Sequence, residues 1–188
     1  MLRSPFRPRR RTFPKRRRNP LCRARAMAEE QQKPSYVANT EGFFRHLGLF
    51  KESLPEACEK KDFHSDLIRS LLKADRIERG RITCSLSVNS AVTNLYNTLH
   101  GGAVAAVAEV VALACVRTVA GDKELFLGEF NTSYLSAARV DEEVEVDGRI
   151  LRQGRSVAVA SVELRIKKTR KLLYTSRATF YVMPVASL

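Results

Sequence analysis

The sequence predicts an α+β domain in which an antiparallel sheet of about five to six strands wraps around one long central helix. Two observations lead to this fold class. Residues 103–120 are helix-favouring and mostly apolar, with no proline or glycine among them. Between residues 125 and 182, apolar and polar side chains alternate in several runs, as they do in strands with one buried face. A helix that is apolar on all sides has to be covered, and the sheet is the element available to cover it.

The segment before the central helix predicts short covering helices and a first strand. Within residues 40–73, apolar residues recur at helical spacing around Phe44 and again around Leu67. Residues 82–88 alternate between apolar and polar side chains, which predicts a strand. A glycine pair at 101–102 then opens the central helix, and Gly121 ends it.

Four further strands are predicted after the helix. They lie at residues 125–135, 144–150, 158–166 and 172–182. The polar connections at 153–155 and 167–171 are short enough for hairpins, so these later strands are expected to be antiparallel neighbours.

The charge of the chain is concentrated at its N-terminus. The net charge is +13, but residues 1–26 hold eleven cations and no acid, and the rest of the chain has 22 cations against 20 acids. We therefore expect a basic extension over 1–35, linker and covering elements over 36–66, and the main domain over 67–183. An Arg-rich, acid-free N-terminus suits a mitochondrial or plastid import peptide, whereas the abrupt change of composition at Met27 suits a dispensable extension of a cytoplasmic protein. Nucleic-acid binding is not expected of a nearly neutral body.

The four cysteines and the longest apolar run indicate whether the chain binds a metal, forms disulfides or spans a membrane. The four cysteines, at positions 22, 58, 84 and 115, form no C-x-x-C pair and have no histidine at ligand spacing. We expect reduced thiols in an intracellular compartment and neither a metal nor a cofactor. The longest apolar run, residues 103–116, contains Glu109 and falls short of the roughly 20 residues of a membrane span.

Glu109 is the most informative residue for chemistry, because it is the only charge between His100 and Arg117 on an otherwise apolar helix. A carboxylate in such a place is either paired in a buried salt bridge or functional as a general base or nucleophile. At the start of the same helix, Gly101 and Gly102 offer backbone N–H groups that can polarise a carbonyl. Gly101 and Glu109 lie about 12 Å apart along one helix, too far to act on one carbonyl. Two antiparallel helices in a homodimer would bring Glu109 of one chain to Gly101 of the other.

Three segments together resemble the hotdog-fold acyl-CoA thioesterases, over roughly residues 67–182. These segments are residues 94–102 (NLYNTLHGG) with Glu109 following, residues 131–135 (NTSYL) and residues 151–156 (LRQGRS). The resemblance implies the hotdog fold and hydrolysis of an acyl-CoA substrate to a carboxylic acid and CoA. It also implies a homodimer or a homotetramer with shared sites.

The resemblance assigns roles to individual residues. Glu109 attacks the thioester or activates water, the Gly101 N–H polarises the carbonyl, Asn94 orients water or the carboxylate, and His100 shapes the turn. Around the CoA, the residues implied by family position are Gly102, Arg139, Arg152, Arg155 and Ser156.

The chain departs from the family pattern at two positions, and two other functions stay open. Leu113 and Leu127 stand where relatives place a hydroxyl residue, so water positioning falls to Asn94 and backbone groups. A hotdog hydratase or dehydratase would need a histidine and an acid around a hydroxyacyl chain, and neither His46 nor His64 lies in such a motif. A catalytically idle acyl-binding protein would not require Asn94, Gly101 and Glu109.

Overall fold

The computed structural model describes residues 34–48 and 55–183, which fall into two compact units divided between Glu56 and Ala57. In the first unit, helix α1 spans Ser35–His46 and has no buried residue. The second unit contains helix α2, Phe63–Leu71, helix α3, Gly101–Ala120, and the sheet. The basic extension of residues 1–26 lies outside the described residues.

The sheet has six strands, all paired antiparallel, in the order β1-β2-β4-β5-β6-β3. The strand bounds are β1 Leu72–Glu78, β2 Arg81–Ser87, β3 Leu125–Tyr134, β4 Glu143–Gln153, β5 Val157–Ile166 and β6 Leu172–Val182. The predicted fold class and the hairpin pairing of the later strands are confirmed. The sequence does not predict β1, because most of its side chains are polar and exposed and show no alternation.

Helix α3 packs across the sheet and forms the core with it. Its buried residues are Val104, Val107, Ala108, Val111, Ala112, Cys115 and Val116. Gly148 on β4 permits this close approach, because a Cβ atom there would lie 2.9 Å from Val111 Cγ1. By length and composition alone α3 could also cross a bilayer. Its packing against the sheet is that of a core helix.

The sequence predicts that α3 is buried on all sides, but the face turned away from the sheet is exposed in the single chain. Glu109 and Val110 are exposed in the single chain, with 47% of Val110 accessible. The sheet covers only one side of the helix, and α2 makes few contacts with it. An apolar face of α3 is therefore left exposed, and no other described element of the chain covers it.

The two core cysteines are protected thiols. Cys84 on β2 and Cys115 on α3 are buried and free, whereas Cys58 is exposed. Burial raises the pKa of the Cys115 thiol to about 11 and also raises the pKa of Cys84. Both therefore stay protonated and behave as small apolar core residues near neutral pH.

Asp147 is a buried acid on the face of β4 opposite α3. Its carboxylate accepts hydrogen bonds from Arg81 Nε at 2.9 Å and from Arg149 Nη2 at 2.6 Å. Burial raises the pKa of Asp147, but the hydrogen bonds from both guanidinium groups outweigh it, and the net pKa lies below its usual value. The ionised carboxylate therefore stabilises the fold.

Replacing Asp147 by asparagine is expected to lower the free energy of unfolding by about 2 kcal/mol at pH 7, because two guanidinium groups lose their anionic acceptor. Urea denaturation of both proteins measures this difference. Since the folded pKa is depressed, the contribution is present above the usual carboxyl pKa of about 3.9 and is lost as the pH falls below it. The gap between the two proteins should close in acid, and equal stability at pH 7 would contradict this account.

Candidate active site

His100 organises the start of α3. It is the residue that caps the helix, and its Nδ1 accepts a hydrogen bond from Gly102 N–H at 3.0 Å. Its carbonyl oxygen accepts from Val104 N–H, which begins the helical ladder. The imidazole is thereby engaged with the backbone, and the Gly102 amide is already satisfied.

Gly101 keeps a free amide at the same helix end. Among the described residues no acceptor for its N–H is found, as is normal for the first residue of a helix. Its carbonyl oxygen accepts from the Tyr134 hydroxyl at 3.0 Å, and a Cβ atom on Gly101 would lie 3.3 Å from Tyr134 Cε1. Tyr134 in turn stacks edge-on against Tyr174 with ring centroids 5.7 Å apart. The backbone at Gly101 is thus held by Tyr134, and its N–H lies at the positive end of the helix dipole.

Asn94 holds the loop that leads into this helix. Its Oδ1 accepts from Tyr96 N–H at 2.9 Å, Thr98 N–H at 3.3 Å and the Thr98 hydroxyl at 3.0 Å. Asn97 in the same turn has a φ of 55°, in the left-handed region that asparagine tolerates. The Asn94 oxygen is therefore used by the loop, and within the described part of the chain no acceptor is found for its side-chain nitrogen.

Glu109 lies at the rim of a cleft between α2 and α3. This cleft has a volume of about 420 Å³ and is lined by His64, Ser65, Ile68, Arg69, Leu72, Ala74, Cys84, Ala106, Glu109 and Val110. Two other clefts, next to Lys167, contain none of the predicted site residues. The cleft therefore joins a candidate base to a mostly apolar cavity.

The two candidate groups stay apart within one chain. Gly101 and Glu109 are eight residues apart on α3, a separation of about 12 Å at 1.5 Å per residue. No side chain of the described residues bridges that distance. Within one chain, the Glu109 carboxylate at the cleft and the free Gly101 N–H at the helix start are therefore too far apart to act on the same group.

The sequence and the fold both match known thioesterases. The profile of the thioesterase superfamily matches residues 96–173. Acyl-coenzyme A thioesterase 13 of Homo sapiens is 30% identical over 129 residues, which is 61% of this chain and 90% of that protein. The chain belongs to the thioesterase superfamily. It is accordingly a thioester hydrolase.

Solved structures agree with this membership. Zebrafish thioesterase superfamily member 2 superimposes on this thioesterase with a TM-score of 0.61 and 25% identity, covering 70% of this chain and all of that one. A Streptococcus pneumoniae hypothetical thioesterase protein, solved with coenzyme A, matches with a TM-score of 0.56 and 18% identity over 60% of this chain and 88% of its own. At that identity the second comparison supports the hotdog fold alone.

The predicted CoA-binding residues of this thioesterase lie at two ends of the sheet. Arg139 pairs with Thr98 beside the start of α3, and its N–H donates to Glu142 Oε2 at 2.7 Å. Arg152 is the last residue but one of β4, Arg155 and Ser156 lie in the following hairpin, and all three are exposed. Strand β4 between these ends has 11 residues, or about 35 Å at the usual rise. One chain therefore does not bring Arg139 together with the other three.

Two features of the thioesterase site are not evident from the sequence. Tyr134 belongs to a recognised segment, but its contact with Gly101 depends on β3 ending beside the helix start. The sequence predicts α2 only as a covering helix, and not as a wall of the cleft. Its four lining residues fall at i, i+1, i+4 and i+5 from His64, which is the spacing of one helix face and the only sequence signal for this role.

Proposed function

We propose that this thioesterase hydrolyses an acyl-CoA to a free carboxylic acid and CoA in a homodimer with two shared sites. Each site combines Glu109 of one protomer with the partner subunit's Gly101. The observation that carries the proposal is the exposed carboxylate at the mouth of an apolar cleft, on a helix whose start presents a free N–H about 12 Å away. The relatives named acyl-coenzyme A thioesterase 13 support acyl-CoA as the substrate.

Two features of the chain support a dimer as the working unit. The open face of α3 is apolar around Ala106, Val110 and Leu113, and a second copy of the helix lying antiparallel would cover it. Strand β3 is at the edge of the sheet, where unpaired backbone groups are free to pair with a second copy. A tetramer would pair two such dimers, and the chemistry needs only one of them.

The proposed reaction uses each group for one task. The Gly101 N–H donates a hydrogen bond to the thioester oxygen as negative charge develops there. Glu109 either takes a proton from water as the water attacks the carbonyl carbon, or attacks that carbon itself to give an anhydride that water then opens. In both routes the C–S bond breaks, and the sulfur of CoA leaves as a thiol after gaining a proton. Asn94 positions the water, and Arg139, Arg152, Arg155 and Ser156 are the candidates for binding CoA phosphates.

Thiol release from acetyl-, dodecanoyl- and phenylacetyl-CoA, read alongside light scattering, tests the proposal. We expect hydrolysis of at least one substrate by a particle of at least twice the 21.2 kDa chain mass. A fully active monomer would contradict the shared site, and no release from any acyl-CoA would contradict the substrate class.

A further inference from the structure

The peptide groups on both sides of Gly101 are held by hydrogen bonds. In the group before it, the His100 carbonyl oxygen accepts from Val104 N–H at 3.0 Å. In the group after it, the Gly101 carbonyl oxygen accepts from the Tyr134 hydroxyl at 3.0 Å. The Gly102 N–H of that same group donates to His100 Nδ1 at 3.0 Å. Because glycine adopts the widest range of backbone angles, the direction of the Gly101 N–H depends on these three bonds.

Only one of these three bonds ties the start of α3 to the sheet. The two bonds to His100 come from Gly102 and Val104 on the same helix. Tyr134, by contrast, is the last residue of β3 and is 33 positions away from Gly101. A phenol has one proton to donate, and the Gly101 carbonyl oxygen accepts it. The Tyr134 hydroxyl can therefore influence a thioester carbonyl only through the Gly101 backbone.

The sheet fixes the Tyr134 ring that carries this hydroxyl. On β6, Tyr174 is the strand partner of Tyr134, and the two rings meet edge to face with centroids 5.7 Å apart. Tyr174 is buried, and its own hydroxyl accepts a hydrogen bond from Ala138 N–H at 3.1 Å. Contact with this anchored ring restricts the side chain of Tyr134. The sheet therefore sets the position of the Gly101 carbonyl group.

We propose that Tyr134 is a positioning residue of this thioesterase, whose hydroxyl holds the Gly101 backbone so that the Gly101 N–H is directed at the thioester oxygen. The proposal rests on the proposed function, because the direction of that N–H matters only if it stabilises the oxyanion. A donor that is fixed in advance stabilises the developing charge without having to reorient during the reaction. Without the bond from Tyr134 the glycine backbone can rotate, so the expected loss falls on kcat and not on substrate binding.

Tyr134→Phe removes the hydroxyl and keeps the ring. With dodecanoyl-CoA we expect kcat to fall about tenfold, while KM and the Kd of a non-hydrolysable dodecanoyl-CoA thioether stay within about twofold of the wild type. Tyr181→Phe is the matched control, because it deletes the same group from a half-exposed ring that stacks on Phe126 at the other end of β3. The control should keep wild-type kcat. A Tyr134→Phe protein with wild-type kcat would overturn the proposal.

The amide groups of Gly101 and Gly102 report the position of this backbone without any catalysis. In amide proton–nitrogen correlation spectra, both resonances should move in Tyr134→Phe and stay in place in Tyr181→Phe, because the Gly101 carbonyl loses a hydrogen bond only in the first variant. Unchanged glycine resonances together with a lowered kcat would mean that the hydroxyl acts on the substrate directly. That result would overturn the positioning role.

The oligomeric state is measured on the same samples, because β3 is also the edge strand proposed to pair with a second copy. Light scattering should give the same mass for Tyr134→Phe and the wild type. A lower mass together with a lower kcat would mean that Tyr134 acts through the dimer contact, and it would overturn the proposal. Failure of the proposed function is distinct: the wild type would release no thiol, and the catalytic role of Tyr134 would fall although the glycine resonances still moved.

Discussion

Glu109→Gln is expected to lower kcat of this thioesterase by about 10²- to 10³-fold, because glutamine keeps the size of the side chain but neither accepts a proton nor attacks a carbonyl. Within the described residues Glu109 forms no salt bridge and is exposed in the single chain. Loss of its charge should therefore leave the melting temperature and the affinity for acyl-CoA close to those of the wild type. Steady-state thiol release and a thermal melt measure the two effects.

The control for this experiment is Glu124→Gln, which makes the same change at an exposed position before β3. It should retain wild-type kcat. A Glu109→Gln protein with near-normal turnover and a clearly lower melting temperature would mean that Glu109 is a structural residue. That result would favour the buried ion-pair interpretation that the sequence alone leaves open.

The fold is predictable because its strongest elements have strong periodicity. Helix α3 lacks helix breakers inside its apolar stretch, and buried residues alternate with more accessible ones along all of β5 and most of β6. β1 escapes prediction because it is a polar edge strand, and its irregular register between Ala74 and Arg76 removes any pattern of period two. β1 is a strand because it pairs with β2, and this pairing depends on the tertiary fold and not on the local sequence.

The site is only partly predictable for a similar reason. His100, Gly101 and Glu109 stand out along the chain, since each breaks the composition around it. Two features of the site depend on residues 33 to 45 positions apart in the sequence. One is the cleft between α2 and Glu109, and the other is the hydrogen bond from the Tyr134 hydroxyl to the Gly101 carbonyl oxygen. No local pattern encodes such contacts. The sequence predicts that the apolar helix α3 is buried, but Glu109 is exposed in the single chain. An apolar helix surface predicts burial, and it does not distinguish burial within one chain from burial against a second chain.

Gly101→Val is expected to lower kcat by about 10²-fold, because it disturbs the donor aimed at the developing oxyanion. A Cβ atom at Gly101 already lies 3.3 Å from Tyr134 Cε1, so the two methyl groups of valine must push the tyrosine ring or the helix start aside. Thiol release measures the loss. Gly42→Val is the control, because a Cβ atom at Gly42 in α1 would have no heavy atom within 4 Å.

Mixing the two inactive variants then tests whether the sites are shared. In a heterodimer of Glu109→Gln and Gly101→Val chains, one shared site receives both replacements and the other receives an intact Glu109 with an intact Gly101. Random pairing of equal amounts should therefore restore about a quarter of wild-type kcat. Co-expression with two different affinity tags isolates the heterodimer, in which recovery should rise to about half. If tagged heterodimers form and stay inactive, Glu109 and Gly101 act within one chain, and α3 would have to bend or shift to close the distance of about 12 Å between them.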